Sequence, residues 1–329
     1  MTILVTGGSG LVGSHVIEAL RARGRPVRAL ARSAAVPLVQ ALGAEAVTGD
    51  VTDPATWQRA GAGGLEAIVH AAAIVQRPGT TLAAYEAVNV GGTRLAVETA
   101  RATRARLLHV SSVAVYGGSS DYRPVAERRT EEQPFRPIAE HDFYARTKRA
   151  AEALVREATE RGDIEGLAFR PNVIYGERDR LFTPRLVRAV SGRLVPQIGP
   201  GTNHLSCVYA GNVAGAIVAG LAAPWSGFRA YNITADAPPP LEARQFLETI
   251  ADACGVRPHF LRLPIPLARL AIGLWSGPRL ARAALSFITG ENPYPIDRAV
   301  AELGWTPALA TREALTRTMR WLAANEKPG

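Results

Sequence analysis

Short apolar runs alternate with longer stretches of helical spacing through the first half of the 329-residue chain. The apolar runs predict strands at 3–5, 27–31, 46–48, 67–71, 107–111 and 167–170. Apolar residues that recur three and four positions apart predict helices at 15–23, 34–42, 54–60, 82–103 and 142–161. Strands that alternate with helices usually lie parallel, with right-handed crossovers on both faces of one sheet. The pattern therefore predicts an α/β fold with a doubly wound parallel sheet.

A turn with four glycines, Gly7, Gly8, Gly10 and Gly13, separates the first predicted strand from the first predicted helix. Glycine accepts positive φ and lets a phosphate approach the backbone, and the N-terminus of the following helix favours an anion. This is the context of a Rossmann-type dinucleotide site, and the glycines fit both G-x-G-x-x-G and G-x-x-G-x-x-G. The residues expected to bind the cofactor here are Gly7, Gly10, Leu11, Val12 and Gly13.

The composition of the sequence changes after Pro171, where proline and glycine become frequent and the predicted strands and helices no longer alternate regularly. We expect residues 1–175 to form a Rossmann-type, NADP(H)-binding domain and residues 176–329 to form a smaller C-terminal substrate-binding domain. Short apolar runs near 206–209 and 230–233 predict two strands that return to the main sheet.

Composition narrows the class of protein. The net charge is +9, but the arginines are interleaved with glutamate and have no stacking aromatics beside them, so we expect no nucleic-acid partner. The six histidines lack metal-ligand spacing, which predicts no metal. The chain has two cysteines, no charged-then-apolar leader, and no apolar run that approaches the ~18 residues needed to cross a bilayer. These features predict a cytoplasmic protein.

The end of the second predicted strand bears on the choice of cofactor. An acidic residue usually follows this strand and binds the ribose 2′-hydroxyl of NAD. This chain has no Asp or Glu between Glu18 and Glu45, and the strand is followed by Arg32 and Ser33. A guanidinium and a hydroxyl suit a 2′-phosphate. NADP(H) is therefore favoured, with NAD(H) as the alternative.

The candidate chemistry lies on the helix at 142–161. Tyr144 and Lys148 are four residues apart and so share one helical face. A nearby ammonium favours phenolate and would lower the tyrosine pKa toward a useful range. The fifth predicted strand ends in two serines, Ser111 and Ser112, at the edge where doubly wound sheets bind ligands, and either could polarise a carbonyl.

Together these motifs resemble the extended branch of the short-chain dehydrogenase/reductase superfamily, which includes the NAD-dependent epimerases and dehydratases. The resemblance covers nearly the whole chain. It includes N-x-x-G-T from Asn89, S-S-x-x-V-Y-G from Ser111 and R-P-x-x-x-Y-G from Arg170. It implies that Ser112, Tyr144 and Lys148 are catalytic, that Ser111 is the second candidate hydroxyl, and that Asn89 orients the lysine.

The resemblance also implies further cofactor contacts and an assembly. Asp50 and Val51 would lie near adenine, and Asn172 and Val173 near the nicotinamide. Helices 82–103 and 142–161 pack together between subunits in relatives, which implies a homodimer. The complete set of further cofactor contacts is Arg32, Ser33, Asp50, Val51, Ala71, Ala72, Ala73, Ser111, Tyr144, Lys148, Pro171, Asn172 and Val173.

The choice of branch determines the expected function. Val113 and Ala114 stand where dehydratases carry an acidic pair, and the segment 199–213 resembles the 3β-hydroxysteroid dehydrogenase-like group rather than the sugar-nucleotide enzymes. We expect an oxidoreductase that interconverts a secondary alcohol and a ketone on a sterol-like or long-chain 3-oxo substrate. The alternatives are a nucleotide-sugar 4-epimerase with tightly bound NAD and a non-catalytic NADP(H)-sensing protein. The basic, apolar stretch 262–290 suggests peripheral membrane contact or ordinary helices of the substrate domain.

Overall fold

The computed structural model describes residues 1–75, 79–117, 128–192, 194–276 and 285–325, with backbone alone at 275–276. The strands are β1 Thr2–Thr6, β2 Val27–Ala31, β3 Glu45–Thr48, β4 Leu65–His70, β5 Arg106–Val110, β6 Gly166–Pro171, β7 Val173–Tyr175, β8 Leu194–Ile198, β9 Cys207–Tyr209, β10 Arg229–Ile233 and β11 His259–Leu263. The helices are α1 Leu11–Arg21, α2 Val36–Ala41, α3 Pro54–Gly61, α4 Leu82–Tyr85, α5 Gly92–Thr103, α6 Phe143–Glu160, α7 Thr183–Val190, α8 Ala210–Ala222, α9 Ala243–Ala253, α10 Ile265–Ser276, α11 Asp297–Leu303 and α12 Thr311–Asn325.

Seven parallel strands form the central sheet in the order β3-β2-β1-β4-β5-β6-β10. The chain builds outward from β1 to β3, then crosses to β4 on the other side of β1. Doubly wound sheets bind ligands at the carboxyl ends of their strands where the order reverses in this way. The predicted parallel, Rossmann-type sheet is confirmed.

Helices cover both faces of this sheet. Ile3 and Val5 of β1 belong to a core that includes apolar residues of α1 and α8. Leu4 points the other way, into a core with Trp57 of α3 and Val155 of α6. Successive side chains of a strand face opposite sides, so the continuous apolar runs of the sequence reflect burial on both faces.

The second half of the chain contributes to the central layers and also forms smaller sheets. β10 pairs with β6 at the edge of the main sheet. β9 does not join that sheet; it pairs with β7 in a separate two-stranded sheet, so the prediction that the strand near 206–209 returns to the main sheet is wrong. β10 occupies the position beside β6 in the main sheet. β9 therefore pairs with β7, the short strand that follows Pro171. The division at residue 175 remains a prediction.

The remaining elements form a lobe beside the carboxyl ends of the sheet. β8 and β11 pair in parallel, and α7, α9 and α12 enclose a third core around Tyr175, Phe246 and Leu315. No helix in the described ranges has both the length and the apolarity to cross a membrane.

Candidate active site

The glycine turn between β1 and α1 is closed tightly on itself. Gly7 has φ +68°, and a Cβ there would lie 2.8 Å from the Ala71 carbonyl carbon. A Cβ on Gly13 would lie 2.2 Å from the Gly7 oxygen, which accepts a 2.8 Å hydrogen bond from the Gly10 N–H. Gly8 packs instead against the side chain of Ile17. The turn therefore follows the Gly7, Gly10, Gly13 spacing.

The helix that follows the turn begins without a polar cap. No side chain caps α1 at Gly10, and its first turn, which holds Leu11 and Val12, has no acidic residue. The first N–H groups of such a helix have no partner within the helix and favour an anion. Since the turn has no room for a Cβ at Gly7 or Gly13, this cradle suits a pyrophosphate.

The end of β2 carries a free cation. Arg32 adopts extended backbone and precedes a 3₁₀ turn at Ser33–Ala35, and both Arg32 and Ser33 are exposed. Among the described residues the Arg32 guanidinium has no hydrogen-bond or ion-pair partner, in contrast to Arg28, which bonds the Ala60 and Ala62 carbonyls. Arg32 is thus available to a ligand.

The loops after β3 and β4 lie on either side of this cradle in the sheet order. Asp50 accepts hydrogen bonds of 2.9 Å and 2.8 Å from the N–H and hydroxyl of Thr52, and the Val51 carbonyl accepts one from Trp57. Ala71, Ala72 and Ala73 are half-buried, and the Ala72 N–H donates to the Thr6 hydroxyl. Small side chains after β4 leave its backbone open beside the turn.

The first turn of α6 brings together a phenol and a hydroxyl. Asp142 caps the helix by accepting from the Ala145 N–H at 3.0 Å, which fixes the turn that carries Tyr144. Tyr144 is hydrogen-bonded to Ser112, whose hydroxyl also accepts from the Ala114 N–H at 3.2 Å. Burial raises the pKa of Tyr144, and the hydrogen bond with Ser112 opposes that rise. The expected lowering of this pKa by Lys148 is therefore wrong for the geometry seen here.

Lys148 lies one turn further along α6 and is almost fully buried. Its Nζ donates a 2.6 Å hydrogen bond to the Val110 carbonyl at the end of β5. Burial lowers the pKa of Lys148 to about 8, and the nearby charge of Glu152 opposes this. The ammonium is thus fixed to the strand end, and its charge is sensitive to pH in the alkaline range.

Asn89 connects α6 to the loop after β4. It lies in a π-helical segment, Glu86–Gly91, between α4 and α5. Its Oδ1 accepts from the Ile74 N–H at 2.7 Å, and its Nδ2 donates to the Ile74 carbonyl at 3.2 Å and to Thr147 Oγ1 at 3.1 Å. π-Helical turns are rare and often occur at functional sites. Asn89 therefore holds α6 in place through Thr147, directly before Lys148.

The two serines have different partners. Ser111 directly follows β5, and its side chain lies on the face of the sheet that α6 covers. Its hydroxyl donates a 2.6 Å hydrogen bond to Glu152 of α6. Glu152 also forms a bidentate ion pair with Arg170, whose Nη2 and Nε lie 2.5 Å and 3.0 Å from its oxygens. Both charged side chains are at most 1% exposed. The Ser111 hydroxyl is thus engaged in the interior, and Ser112 is the hydroxyl that contacts Tyr144.

This buried ion pair is the part of the site that sequence reasoning missed. Glu152 follows Lys148 by four residues and so extends the face of Tyr144 and Lys148, which was the available signal. Arg170 Nη1 also donates to the Tyr116 hydroxyl at 2.9 Å, which in turn donates to Asn232 of β10 at 2.8 Å. A chain of polar contacts therefore runs from α6 to the edge of the sheet.

The residues expected near the nicotinamide lie where β6 ends. Pro171 is the last residue of β6 and is paired with Ile233. Asn172 Nδ2 donates to the Ser206 hydroxyl at 3.0 Å and to the Thr234 carbonyl at 2.9 Å, while its buried Oδ1 has no partner among the described residues. Val173 packs against the third core.

Two stacked histidines lie close to Lys148. The rings of His70 in β4 and His109 in β5 are 5.7 Å apart. His70 Nδ1 lies 2.8 Å from the Thr6 hydroxyl, but His70 Nε2 and both nitrogens of His109 have no partner in the described ranges. Burial lowers the pKa of His70 to about 3 and that of His109 well below its usual value, with the Lys148 charge adding to both effects. Both rings are therefore neutral at physiological pH.

No group of three or more His, Cys, Asp and Glu residues in the described ranges could hold a metal ion. The chemistry of the site lies instead in an uncapped helix end that suits a pyrophosphate and in a Ser–Tyr–Lys group formed by Ser112 after β5 and by Tyr144 and Lys148 on α6. On a doubly wound sheet this combination defines a nucleotide-dependent oxidoreductase.

Comparison with known proteins identifies the family. The chain belongs to the NAD-dependent epimerase/dehydratase family, whose model matches residues 3–234. This confirms the extended short-chain dehydrogenase/reductase membership that the motifs predicted, and the chain is an enzyme of the NAD-dependent oxidoreductase class.

Two relatives match over almost their whole length. The 4-hydroxy-2-methyl-3-oxo-4-farnesyl-3,4-dihydroquinoline-1-oxide ketoreductase of Stigmatella aurantiaca is 33% identical, with 96% of this chain and 95% of the relative covered. The 3β-hydroxysteroid dehydrogenase/Δ5→4-isomerase of Mycobacterium tuberculosis is 29% identical, with 96% and 89% covered. The UDP-glucuronic acid 4-epimerase of Bacillus cereus, solved with NAD, has the same fold, with a TM-score of 0.74, 19% identity and 98% and 99% of the two chains covered.

Proposed function

We propose that this chain is an NADP(H)-preferring oxidoreductase that interconverts a secondary alcohol and a ketone on a mostly apolar substrate. The observation that carries the proposal is the hydrogen bond between Ser112 and Tyr144, with Lys148 fixed one turn away. A nicotinamide cofactor would supply or accept the hydride at the carbonyl carbon. The chain itself must then orient the substrate oxygen and move one proton.

The residues of the site suit these two tasks. Ser112 can donate a hydrogen bond to a ketone oxygen, and the Tyr144 phenol can give that oxygen a proton as the carbonyl carbon becomes an alcohol carbon. Because burial raises the pKa of Tyr144, the phenol is protonated at neutral pH, which is the form that ketone reduction requires. Lys148 is fixed to the end of β5 one turn further along the same helix, and Asn89 holds the helix that carries both residues.

The preference for NADP(H) rests on Arg32. This exposed guanidinium follows β2, where the adenosine ribose lies in dinucleotide folds, and no carboxylate stands at the strand end to bind a 2′-hydroxyl pair. An arginine without a protein partner suits a 2′-phosphate, to which it can donate two parallel hydrogen bonds. Ser33 can add a hydroxyl.

The substrate class rests on the branch of the family. Val113 and Ala114 directly follow Ser112, so the acid–base pair that dehydration needs is absent from these two positions. The names of the two relatives describe a farnesyl-bearing ketone and a steroid, both of which are largely apolar. An apolar ketone or alcohol is therefore the first class to test.

The direct test is an activity assay with NADPH and a panel of steroidal and long-chain 3-oxo ketones. We expect NADPH oxidation with an apolar ketone, and a kcat lowered by about 10²–10⁴-fold in Tyr144→Phe. Tyr231→Phe is a matched control, because the Tyr231 phenol is hydrogen-bonded to Glu302, away from the site. Full cofactor binding without turnover on any ketone or alcohol would favour the non-catalytic, NADP(H)-sensing alternative, against which the intact Ser112, Tyr144 and Lys148 argue.

A nucleotide-sugar 4-epimerase is the second candidate, supported by the shared fold with the UDP-glucuronic acid 4-epimerase. Such an enzyme would retain NAD through purification and release no reduced cofactor.

We also propose that the chain forms a homodimer through α5 and α6 and that it is located in the cytoplasm. Of the stretch 262–290 expected from sequence to touch membranes, residues 277–284 lie outside the described residues. Sedimentation of the purified chain tests the dimer, and fractionation of cells tests the location.

A further inference from the structure

His15 lies in the second turn of α1, directly behind the turn that suits a pyrophosphate, and is almost fully buried. Its Nδ1 lies 2.8 Å from the carbonyl oxygen of Leu11, which is the first residue of the helix. Its Nε2 lies 3.1 Å from the carboxylate of Glu177, which follows β7. The proton transfer from Tyr144 does not use this ring. His15 instead connects the start of the cofactor helix to the second half of the chain.

The partners of His15 determine how many protons its ring carries. A carbonyl oxygen can only accept a hydrogen bond, so Nδ1 donates to Leu11. Burial would raise the pKa of Glu177, but hydrogen bonds from His15 and Tyr209 outweigh it and lower the pKa to about 2. Arg317 Nε also donates to this carboxylate, at 2.5 Å. Since the ionised Glu177 can only accept, Nε2 donates as well, and His15 in this geometry is an imidazolium cation.

The loop after β7 contacts α1 at a second point. Arg178 Nε donates to Ser14 Oγ at 2.8 Å, and its Nη2 lies 2.6 Å from the Glu18 carboxylate. Arg178 has φ +71°, a left-handed conformation that is uncommon for a residue with a Cβ. Such a conformation persists where the surrounding contacts fix it. The loop is therefore fixed against the first two turns of α1.

The charged side chains at this contact include more cations than anions. α8, which packs on α1, contains no titratable residue, and Asp179 accepts from the N–H groups at 181–183 instead. His15 and Glu177 are both at most 5% exposed, so solvent screens their charges weakly. Three cations, His15, Arg178 and Arg317, therefore stand against two anions, Glu18 and Glu177.

A cation at this position does not help the helix itself. The N-terminus of a helix carries a partial positive charge, so anions stabilise it and cations oppose it. His15 lies in the first two turns of α1, Arg178 lies beside them, and the first turn has no acidic residue. The added positive charge instead favours an anionic ligand at this helix end.

We propose that His15 is a buried cation that strengthens the binding of a dinucleotide pyrophosphate at the N-terminus of α1, with Glu177 as the counter-ion that holds the ring in place. His15 acts through the helix end and is therefore a positioning residue. Of the proposed function, this requires only that the chain binds a nicotinamide dinucleotide.

His15→Gln separates the charge from the contact, because a glutamine amide can still donate to Glu177 but is neutral. We expect the affinities for NADPH and NADH to fall together, by about three- to tenfold, since both cofactors contain the pyrophosphate. Fluorescence titration of the purified chain measures both affinities. His259→Gln, the same substitution at an exposed position of β11, is the control and should change neither. Arg32→Ala should differ from His15→Gln by weakening NADPH alone.

Nuclear magnetic resonance reads the protonation state without any cofactor. In long-range ¹H–¹⁵N spectra of the chain labelled with ¹⁵N-histidine, the signals of His15 are those that His15→Gln removes. We expect both ring nitrogens to be protonated at pH 7 in the unmodified chain. Glu177→Gln should leave only Nδ1 protonated, because the glutamine amide can donate to Nε2.

Three results would overturn the proposal. The first is a neutral His15 ring in the unmodified chain at pH 7. The second is unchanged affinity of His15→Gln for both cofactors, which would reduce His15 to a structural contact. The third is a loss confined to NADPH, which would place the effect at the 2′-phosphate. A chain that binds both cofactors but reduces no ketone would contradict the proposed reaction and leave the role of His15 intact.

Discussion

The Ser111 hydroxyl donates a 2.6 Å hydrogen bond to the Glu152 carboxylate, which joins the end of β5 to helix α6. The next residue along the strand, Ser112, contacts the Tyr144 phenol. Glu152 lies two turns beyond Tyr144 on α6. This buried hydrogen bond therefore links the two elements that carry the proposed catalytic groups, Ser112 after β5 and Tyr144 on α6.

Loss of the Glu152 charge should destabilise the protein. Glu152→Gln leaves the fully buried Arg170 guanidinium without its counter-charge, which typically costs about 3–5 kcal/mol. Urea denaturation measures the change in the free energy of unfolding. Glu157→Gln on the exposed face of α6 is the control and should stay within about 0.5 kcal/mol. A change of that small size for Glu152→Gln would mean that the ion pair does not hold the site together.

Tyr144→Phe should separate chemistry from binding. Removing the proton donor should lower kcat by about 10²–10⁴-fold. The affinity for NADPH should remain within about twofold, because the substitution removes only the hydroxyl and retains the ring. Stopped-flow or steady-state kinetics measure the first quantity, and fluorescence titration measures the second. Loss of cofactor binding in parallel with kcat would assign Tyr144 a structural role instead.

Lys148 should give activity and stability opposite dependences on pH. Its folded pKa of about 8 lies below its usual value of 10.5, so the unfolded chain binds more protons between these two values. The Lys148 contribution to the free energy of unfolding therefore rises with pH across that window, by roughly 3 kcal/mol in total. Activity should fall over the same range, since the ammonium loses its charge and kcat/KM reports groups of the free enzyme.

Lys148→Met provides the comparison for this prediction. Its free energy of unfolding should lack the rise between pH 8 and pH 10 that the unmodified chain shows by urea denaturation. Parallel pH dependences of stability in the two proteins would contradict the assignment of a lowered pKa to Lys148.

His109→Leu should preserve or increase stability. Both ring nitrogens of His109 are buried without partners in the described ranges, and replacing such a group with an apolar one removes a desolvation cost. The pKa of His109 is lowered in the folded chain. Below pH ~6.5 the His109 of the unfolded chain therefore binds a proton that the folded chain does not bind. The advantage of the variant should therefore grow on acidification, by up to about 1.4 kcal/mol per pH unit. Denaturation at pH 7 and pH 5 measures it, and a variant that is less stable at both values refutes the prediction.

The sequence predicted the regular elements well because their signal is local. The strands from β1 to β6 and helix α6 lie within two residues of their predicted bounds, since burial on both faces leaves apolar runs that need no knowledge of their neighbours. The cofactor turn was predicted for the same reason. The positive φ of Gly7 and the close approach of the Gly7 carbonyl to Gly13 both involve residues that are near one another in sequence.

The parts that failed or were missed depend on residues distant in sequence. Whether β9 joins the main sheet depends on β10 having the place beside β6, which no local pattern contains. Glu152 and Arg170 are paired only because α6 packs over β6. The pKa of Tyr144 is set by how much protein surrounds the phenol, so the Tyr–Lys spacing alone gave the wrong direction.

The most direct measurement of the central claim is a fluorescence titration of the purified chain with NADPH and NADH, after a search for retained cofactor. We expect NADPH to bind much more tightly and to exchange freely. Arg32→Ala should weaken NADPH by about tenfold or more with NADH unchanged, while Arg94→Ala, an exposed arginine of α5, should change neither. Tightly retained NAD, or equal affinities for the two cofactors, would contradict the account and would favour the 4-epimerase.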